Sequence, residues 1–130
     1  MKFNVEGKVR GKARPRFYNG HAVTPRETRD YEDHIVYEYL HAHGSRYERP
    51  VRVSITAHLG VPKSESISKQ TMRVQGQRPT KKPDVDNIAK VVLDALNGVA
   101  YEDDKQVVEL KVKKVWSLNE GLEVEIQEVQ

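Results

Sequence analysis

The chain of 130 residues contains no cysteine, only one tryptophan and two phenylalanines, and no long hydrophobic run. Without cysteine it can form neither a disulfide framework nor a thiolate zinc site, which suits a reducing compartment. No segment approaches the about 20 apolar residues of a membrane span, and the opening MKFNVEGKVR lacks the apolar centre of a signal peptide. We therefore expect a cytoplasmic protein that does not associate with a membrane.

The charges are segregated along the chain, although the formal net charge is only +3. Residues 8–16 and 63–82 are strongly basic, whereas residues 84–109 are rich in acids. A basic surface around a small acidic cluster suits a phosphate-bearing substrate and a bridging cation. The length fits one domain over residues 1–130, with a core of its own.

The N-terminal third begins with a predicted strand over residues 2–9, where apolar and polar residues alternate. If the chain stays extended, the next even positions place cations along one side at a spacing that suits phosphates, and we predict that they bind DNA. The alternative is a solvated edge strand protected by its charges. Asn19-Gly20 then predicts a hairpin turn. The cations of this stripe are Lys8, Arg10, Lys12, Arg14 and Arg16.

A first helix is predicted from Thr24 to about His43. Thr24 is the expected N-cap, Pro25 the first helical residue and Glu27 the partner in a capping box. Apolar residues recur at helical spacing through the segment, and Gly44 provides the expected stop.

Alternating apolar and polar residues predict a strand over residues 51–59, and the basic stretch 63–82 follows it. This stretch has little apolar content, so we predict a long mobile loop that closes over a DNA backbone. The alternative is a flexible insertion with no role. The cations predicted to contact DNA here are Lys69, Arg73, Arg78, Lys81 and Lys82.

A second helix is predicted from about Asp86 to Asn97, because apolar residues form a broad stripe and Asn97-Gly98 ends it. Residues 106–116 and 122–129 predict two strands joined as a terminal hairpin, with Val108, Leu110, Val112 and Trp116 on one side. The elements predict an α+β fold in which two helices pack on a mixed β-sheet.

Acidic residues cluster around this second helix. Asp84 and Asp86 lie two apart at its start, Lys90 follows one turn later, and the pair Asp103-Asp104 comes after its end. Carboxylates without a soft ligand favour Mg²⁺ or Mn²⁺, and such an ion relieves their mutual repulsion. It could also activate water and neutralise charge during phosphoryl transfer, with Lys90 as a fixed cation at the phosphate.

Simpler explanations exist for parts of this pattern. An Asp before an apolar run most often caps the helix, but one cap explains only one of these acids. A D-x-D pair alone would also suit a calcium site or a glycosyltransferase, although the latter would require a larger fold.

The segment KPDVDNIAKVVLDALNGVAYEDDKQV resembles the signature of the RusA family of Holliday-junction resolvases, which are crossover junction endodeoxyribonucleases commonly of phage or prophage origin. The match joins D-x-D-N, a lysine four residues on, L-D-A-L-N-G and D-D-x-Q in the right order. The K-A-R-P-R stretch, the Thr-Pro helix start and the length are also similar. The resemblance therefore spans the domain and implies a RusA-like fold.

This resemblance implies site residues and an activity. The metal-binding aspartates of the family correspond to Asp84, Asp86 and Asp104, and the catalytic lysine corresponds to Lys90. Asp103 remains an alternative to Asp104. The implied protein is a Mg²⁺-dependent homodimer that binds four-way DNA junctions during recombination and repair and nicks two strands symmetrically. A dimer suits this reaction because a two-fold substrate cut twice calls for two symmetry-related sites.

Two competing functions stay open from the sequence. One is a non-catalytic nucleic-acid-binding protein that uses only the basic segments, and its binding would depend steeply on salt and not on Mg²⁺. The other is a nuclease for different branched DNA, such as flaps or replication forks.

Overall fold

The centre of the fold is a four-stranded sheet with helices packed on one face, as seen in a computed structural model that describes residues 1–130. Ten elements follow one another along the chain. The strands are β1 (Lys2–Glu6), β2 (Arg16–Tyr18), β3 (His21–Val23), β4 (Val51–Gly60), β5 (Val107–Ser117) and β6 (Gly121–Glu128). The helices are α1 (Arg26–His41), α2 (Ile67–Gly76) and α3 (Val85–Leu96), and a 3-10 turn covers Asp104–Gln106. The predicted α+β class with a mixed sheet is confirmed.

The sheet order is β1-β6-β4-β5, with β4 parallel to β5 and antiparallel to β6. The predicted terminal hairpin is therefore wrong, because β4 lies between β5 and β6. The alternation of β4 buries every second residue from Val51 to Leu59, and such a strand gains from hydrogen-bonded neighbours on both sides. As an edge strand, β5 leaves Val108 and Leu110 exposed and buries only Trp116 of the predicted apolar row.

The core lies between the sheet and the helices α1 and α3. Ile35 and Tyr39 of α1 and Ile88 and Leu96 of α3 are fully buried in it, as is Ile55 of β4. Burying each large aliphatic side chain contributes about 1.5–3 kcal/mol. The other face of the sheet is polar and lined by charged and hydroxyl side chains.

The ends of α1 differ from the prediction. The helix begins at Arg26, Pro25 occupies the capping position, and no side chain caps it, so the predicted capping box of Thr24 and Glu27 is absent. Proline fixes its own φ but has no side-chain acceptor, which explains a start without a cap. At the other end His43, rather than Gly44, adopts the left-handed conformation, with φ 62°.

Helix α2 lies inside the segment that we predicted as a long loop, so that prediction of irregular structure is wrong. The Ser66 hydroxyl caps it by accepting a hydrogen bond from Lys69 N. Arg73 pairs with Glu65 through two hydrogen bonds and lies 5.0 Å from the ring centroid of Trp116. These polar and cation–π contacts dock the helix, which buries none of its own residues.

The hairpin of β2 and β3 is confirmed, and both turn residues Asn19 and Gly20 have positive φ. Its residues are all exposed. Residues 7–15 form no strand, since β1 ends at Glu6. None of the helices has the length and apolar character needed to cross a membrane.

Candidate active site

The start of α3 carries two carboxylates that no structural contact uses. Asp84 takes the N-cap position in an extended conformation, but its side chain makes no capping hydrogen bond. Asp86 follows in the first turn. Asp84, Asp86 and Lys90 are exposed and form no ion pair. The simple capping explanation therefore does not account for Asp84, and both carboxylates stay available to a ligand.

One face of α3 is polar along its whole length. Asp86, Lys90 and Asp94 recur every four residues, so they share this face, and each step advances about 6 Å along the helix axis. The opposite side of the helix buries Ile88 and Val92 in the core. Because α3 buries its apolar side in the core, Asp86, Lys90 and Asp94 face away from the core.

A second acidic group forms near the other end of α3, where Asp94, Asp103 and Asp104 interact. A hydrogen bond with Asp103, some burial and the charges of Asp103 and Asp94 raise the pKa of the Asp104 carboxyl. The Asp103 carboxylate accepts a hydrogen bond from Lys105 N at 3.1 Å and another from Asp104, which lowers the pKa of Asp103. Asp103 therefore serves the 3-10 turn as its cap, whereas the Asp104 carboxyl has no cation beside it that would stabilise its ionised form.

Lys12 has a different environment from the other cations of the predicted DNA stripe. Its Nζ lies 2.9 Å from Glu32 Oε2 and 3.2 Å from Asp94 Oδ2, and the side chain is only 15% exposed. Burial alone would lower the pKa of Lys12, but the hydrogen bonds and charges of Glu32 and Asp94 outweigh it and raise that pKa. Lys12 therefore ties the basic segment to α1 and α3.

Close backbone packing brings this basic segment against the start of α3. Lys12 N donates a hydrogen bond to Asn87 O at 2.9 Å. A Cβ atom on Gly11 would lie 2.9 Å from Asn87 Cβ and 3.1 Å from Pro83 Cβ, so only glycine fits without a shift. The sequence before Asp84 and the segment around Gly11 are thus immediate neighbours.

The remaining cations that we predicted to bind DNA fall into two groups. Arg73 and Lys81 already have protein partners, since Arg73 pairs with Glu65 and Lys81 Nζ bonds Gly60 O at 3.1 Å. The others are exposed, and only Arg78 has a side-chain contact, a long one of 3.5 Å to Lys114 O. The cations without an ion pair or a hydrogen bond shorter than 3.5 Å are Lys8, Arg10, Arg14, Arg16, Lys69, Arg78 and Lys82.

The donors at this site fit a hard divalent cation in kind, because all of them are carboxylates. No three Asp, Glu or His side chains of the chain converge as a complete set of metal ligands. Asp104 lies with Asp94 and Asp103 at one end of the polar helix face, and Asp84 and Asp86 lie at the other. Mg²⁺ commonly takes one or two protein carboxylates and completes its shell with water and substrate phosphate.

Two residues of this region escaped sequence reasoning. Tyr101 is fully buried, and its hydroxyl donates a hydrogen bond to Leu93 O at 2.8 Å. Lys114 of β5 donates from Nζ to Lys81 O and Pro83 O. A signal for Lys114 was present in the sequence, since it shares the parity of Val112 and Trp116 and so occupies a core-facing position of the strand.

Comparison with known proteins covers both the acidic helix and the basic segments. The family model described as "Endodeoxyribonuclease RusA" matches residues 6–127. The chain is also 37% identical over 137 residues to a Bacillus subtilis (strain 168) protein described as "Uncharacterized protein YqaN", covering 99% of this chain and 96% of that protein. The name of that relative states no activity. With nearly all of its residues matched by the family model, the chain belongs to the RusA family of endodeoxyribonucleases.

Proposed function

We propose that this protein is a Mg²⁺-dependent endonuclease that resolves four-way DNA junctions in the cytoplasm by paired symmetric nicks, in recombination and repair. The observation that carries the proposal is the pair of unengaged carboxylates, Asp84 and Asp86, on a helix that also exposes Lys90. Membership of an endodeoxyribonuclease family supplies the reaction class. The exposed cations of residues 8–16 and 69–82 suit a polyanionic substrate.

Asp84 and Asp86 hold the divalent cation in this proposal. Asp104 does not converge with them in this structure and joins the protein ligands when the cation and DNA bind. When bound, Mg²⁺ or Mn²⁺ supplies an activated water and neutralises charge on the phosphoryl oxygens. Lys90 binds the scissile phosphate as a fixed cation from the same helix face. The N-terminus of α3 adds partial positive charge next to these groups.

The choice of Asp104 over Asp103 rests on their different surroundings. The Asp103 carboxylate is engaged in capping the 3-10 turn. Asp104 has a raised pKa because of its neighbouring acids, and a cation would relieve that repulsion. Asp104→Asn is therefore expected to weaken metal binding more than Asp103→Asn.

The exposed cations of residues 8–16 and 69–82 contact DNA phosphates in this proposal. Such contacts position the substrate and make binding depend on salt. The other three predicted cations bond protein groups instead. Lys12 pairs with Glu32 and Asp94, Arg73 pairs with Glu65, and Lys81 donates to Gly60 O. A homodimer supplies the two active sites that two symmetric nicks require.

The test compares a labelled mobile four-way junction with a matched linear duplex, in Mg²⁺ and in EDTA. The wild-type protein is expected to make paired symmetric nicks in the junction alone, and only with Mg²⁺. Asp84→Asn should slow nicking by about 100-fold or more, as expected for loss of a group that stabilises transition-state charge. It should bind the junction at least as tightly, because a negative charge near phosphates is gone.

Asp33→Asn provides the matched control, since Asp33 is an exposed aspartate of α1 outside every ion pair. It should nick at the wild-type rate. Binding without nicks, unaffected by EDTA, would replace the proposal with a non-catalytic binding protein. Equal cleavage of flaps or forks would replace four-way junctions with branched DNA in general.

A further inference from the structure

Lys114 is a lysine on the core-facing side of the sheet. In the parallel register it lies opposite Ala57, and its neighbours on the same side of β5 are Val112 and Trp116. Its side chain is partly buried, whereas the adjacent Lys113 points to the polar face and is exposed. An apolar residue would suit position 114 by packing alone, so the ammonium group needs a specific partner.

Two backbone carbonyls of one short segment provide that partner. Lys114 Nζ donates to Lys81 O at 2.8 Å and to Pro83 O at 3.3 Å. These carbonyls belong to residues without helix or strand hydrogen bonding, and Pro83 immediately precedes Asp84. An ammonium group carries three donors and no acceptor, so one lysine can hold both carbonyls at once.

Other contacts hold residues 81–83, but none of them is a hydrogen bond from a side chain to the main chain next to Asp84. Lys81 Nζ bonds Gly60 O and lies 5.1 Å from the ring centroid of Trp116. Gly11 packs closely against the Pro83 side chain. Lys114 is therefore the side chain that ties the approach to Asp84 to the rigid sheet.

We propose that Lys114 is a positioning residue, which fixes the main chain of residues 81–83 and through it the Asp84 carboxylate. The proposal rests on the role of Asp84 given under the proposed function. Lys114 touches neither the DNA nor the cation in this scheme. Its effect is nevertheless large, because a displacement of about 1 Å at a reacting group can cost 100-fold in rate.

The experiment compares Lys114→Met with Lys113→Met, which removes the neighbouring charge from the opposite face. Four quantities are measured: the single-turnover rate of junction nicking, the junction Kd, the Mn²⁺ affinity by electron paramagnetic resonance, and hydrogen–deuterium exchange of residues 80–88. Lys114→Met is expected to lower the nicking rate and the Mn²⁺ affinity by about 10-fold to 100-fold, as loss of a group that orients metal ligands does. Exchange at the Ile88 amide, which donates a hydrogen bond to Asp84 O, should rise, while the junction Kd stays within about twofold of that of Lys113→Met.

A second comparison tests whether Lys114 acts through Asp84. In an Asp84→Asn background, Lys114→Met should cause no further loss of Mn²⁺ affinity, because the group it positions is gone. If Lys114→Met does not fold, Lys114→Gln keeps a polar side chain that can bond one carbonyl, and it should show the same changes at smaller size.

Each outcome decides between the proposals. If wild type nicks the junction and Lys114→Met matches Lys113→Met in rate, Mn²⁺ affinity and exchange, the positioning role is wrong and the nuclease proposal stands. A junction Kd that weakens in step with the rate would make Lys114 a DNA contact and overturn the positioning role. If wild type does not nick, the nuclease proposal fails, and the Mn²⁺ and exchange measurements still decide what Lys114 does to Asp84.

Discussion

Replacing Lys12 with methionine should destabilise the fold, although Lys12 lies in a stripe whose spacing suits DNA phosphates. The side chain is held between Glu32 of α1 and Asp94 of α3 by two ion pairs. Methionine keeps most of the apolar stem but removes the charge. The two carboxylates then face each other without a cation between them.

The loss of unfolding free energy in Lys12→Met should lie between the values for exposed and for fully buried ion pairs. Exposed pairs contribute about 0–1 kcal/mol, whereas removing one partner from a fully buried pair costs about 3–5 kcal/mol. The partner side chains are 17% and 32% exposed, so solvent screens part of the interaction. We expect Lys12→Met to lower the free energy of unfolding by about 2 kcal/mol, which corresponds to roughly 8 °C in Tm for a domain of this size.

Urea unfolding of wild type, Lys12→Met, Glu32→Gln and the double variant measures this coupling. Lys8→Met is the control, because Lys8 is exposed and unpaired. The pKa of Lys12 is raised in the folded state above its ordinary 10.5. Its stabilising contribution is therefore complete below pH 10.5 and is lost as the pH rises through the folded-state value.

The stability difference between wild type and Lys12→Met should thus be constant from pH 7 to about pH 9 and shrink above about pH 10.5. The reasoning would be refuted if Lys12→Met and Lys8→Met unfold at the same urea concentration. A variant of unchanged stability with weaker, less salt-dependent junction binding would instead place Lys12 on the DNA.

Two further substitutions test packing beside the site. Gly11→Ala should lower the free energy of unfolding by about 1–3 kcal/mol and slow nicking, because the new Cβ meets Asn87 and Pro83. Gly76→Ala is the control, since a Cβ there meets open space. Unchanged urea midpoints for both alanine variants would contradict this. Tyr101→Phe should lower the free energy of unfolding by about 1–1.5 kcal/mol, because Leu93 O loses its hydrogen-bond donor. Tyr18→Phe is the control, since Tyr18 is exposed. Equal Tm values for these two variants would show that the hydroxyl contributes nothing.

Local patterns predicted the elements that bury a continuous apolar face. The stripe of α3 predicted its bounds to within a residue, and the alternation of β4 predicted that strand. Asn19-Gly20 predicted a turn with positive φ at both residues. These features depend on neighbours within a few residues, which is the range that side-chain periodicity encodes.

Elements held by distant polar contacts were not predicted. Helix α2 has few apolar positions and docks through Arg73 on Trp116, which lies far along the chain. The β5–β6 hairpin was predicted because the two strands are consecutive, but alternation identifies the buried face and not the neighbouring strand. The prediction of a capping box at Thr24 was wrong, because the helix begins one residue later and Pro25 occupies the capping position.

By itself the sequence determined the α+β composition, the polar face of α3 with Asp86 and Lys90 on it, and Asp84 at the start of that helix, since each follows from spacing within one element. Only the tertiary structure decided that β4 separates β5 from β6, that Lys12 pairs with Asp94, and that Lys114 holds the approach to Asp84. The reason is physical. Periodicity records which side of an element avoids water, whereas the partner of a buried charge is chosen by the free energy of the whole packed chain.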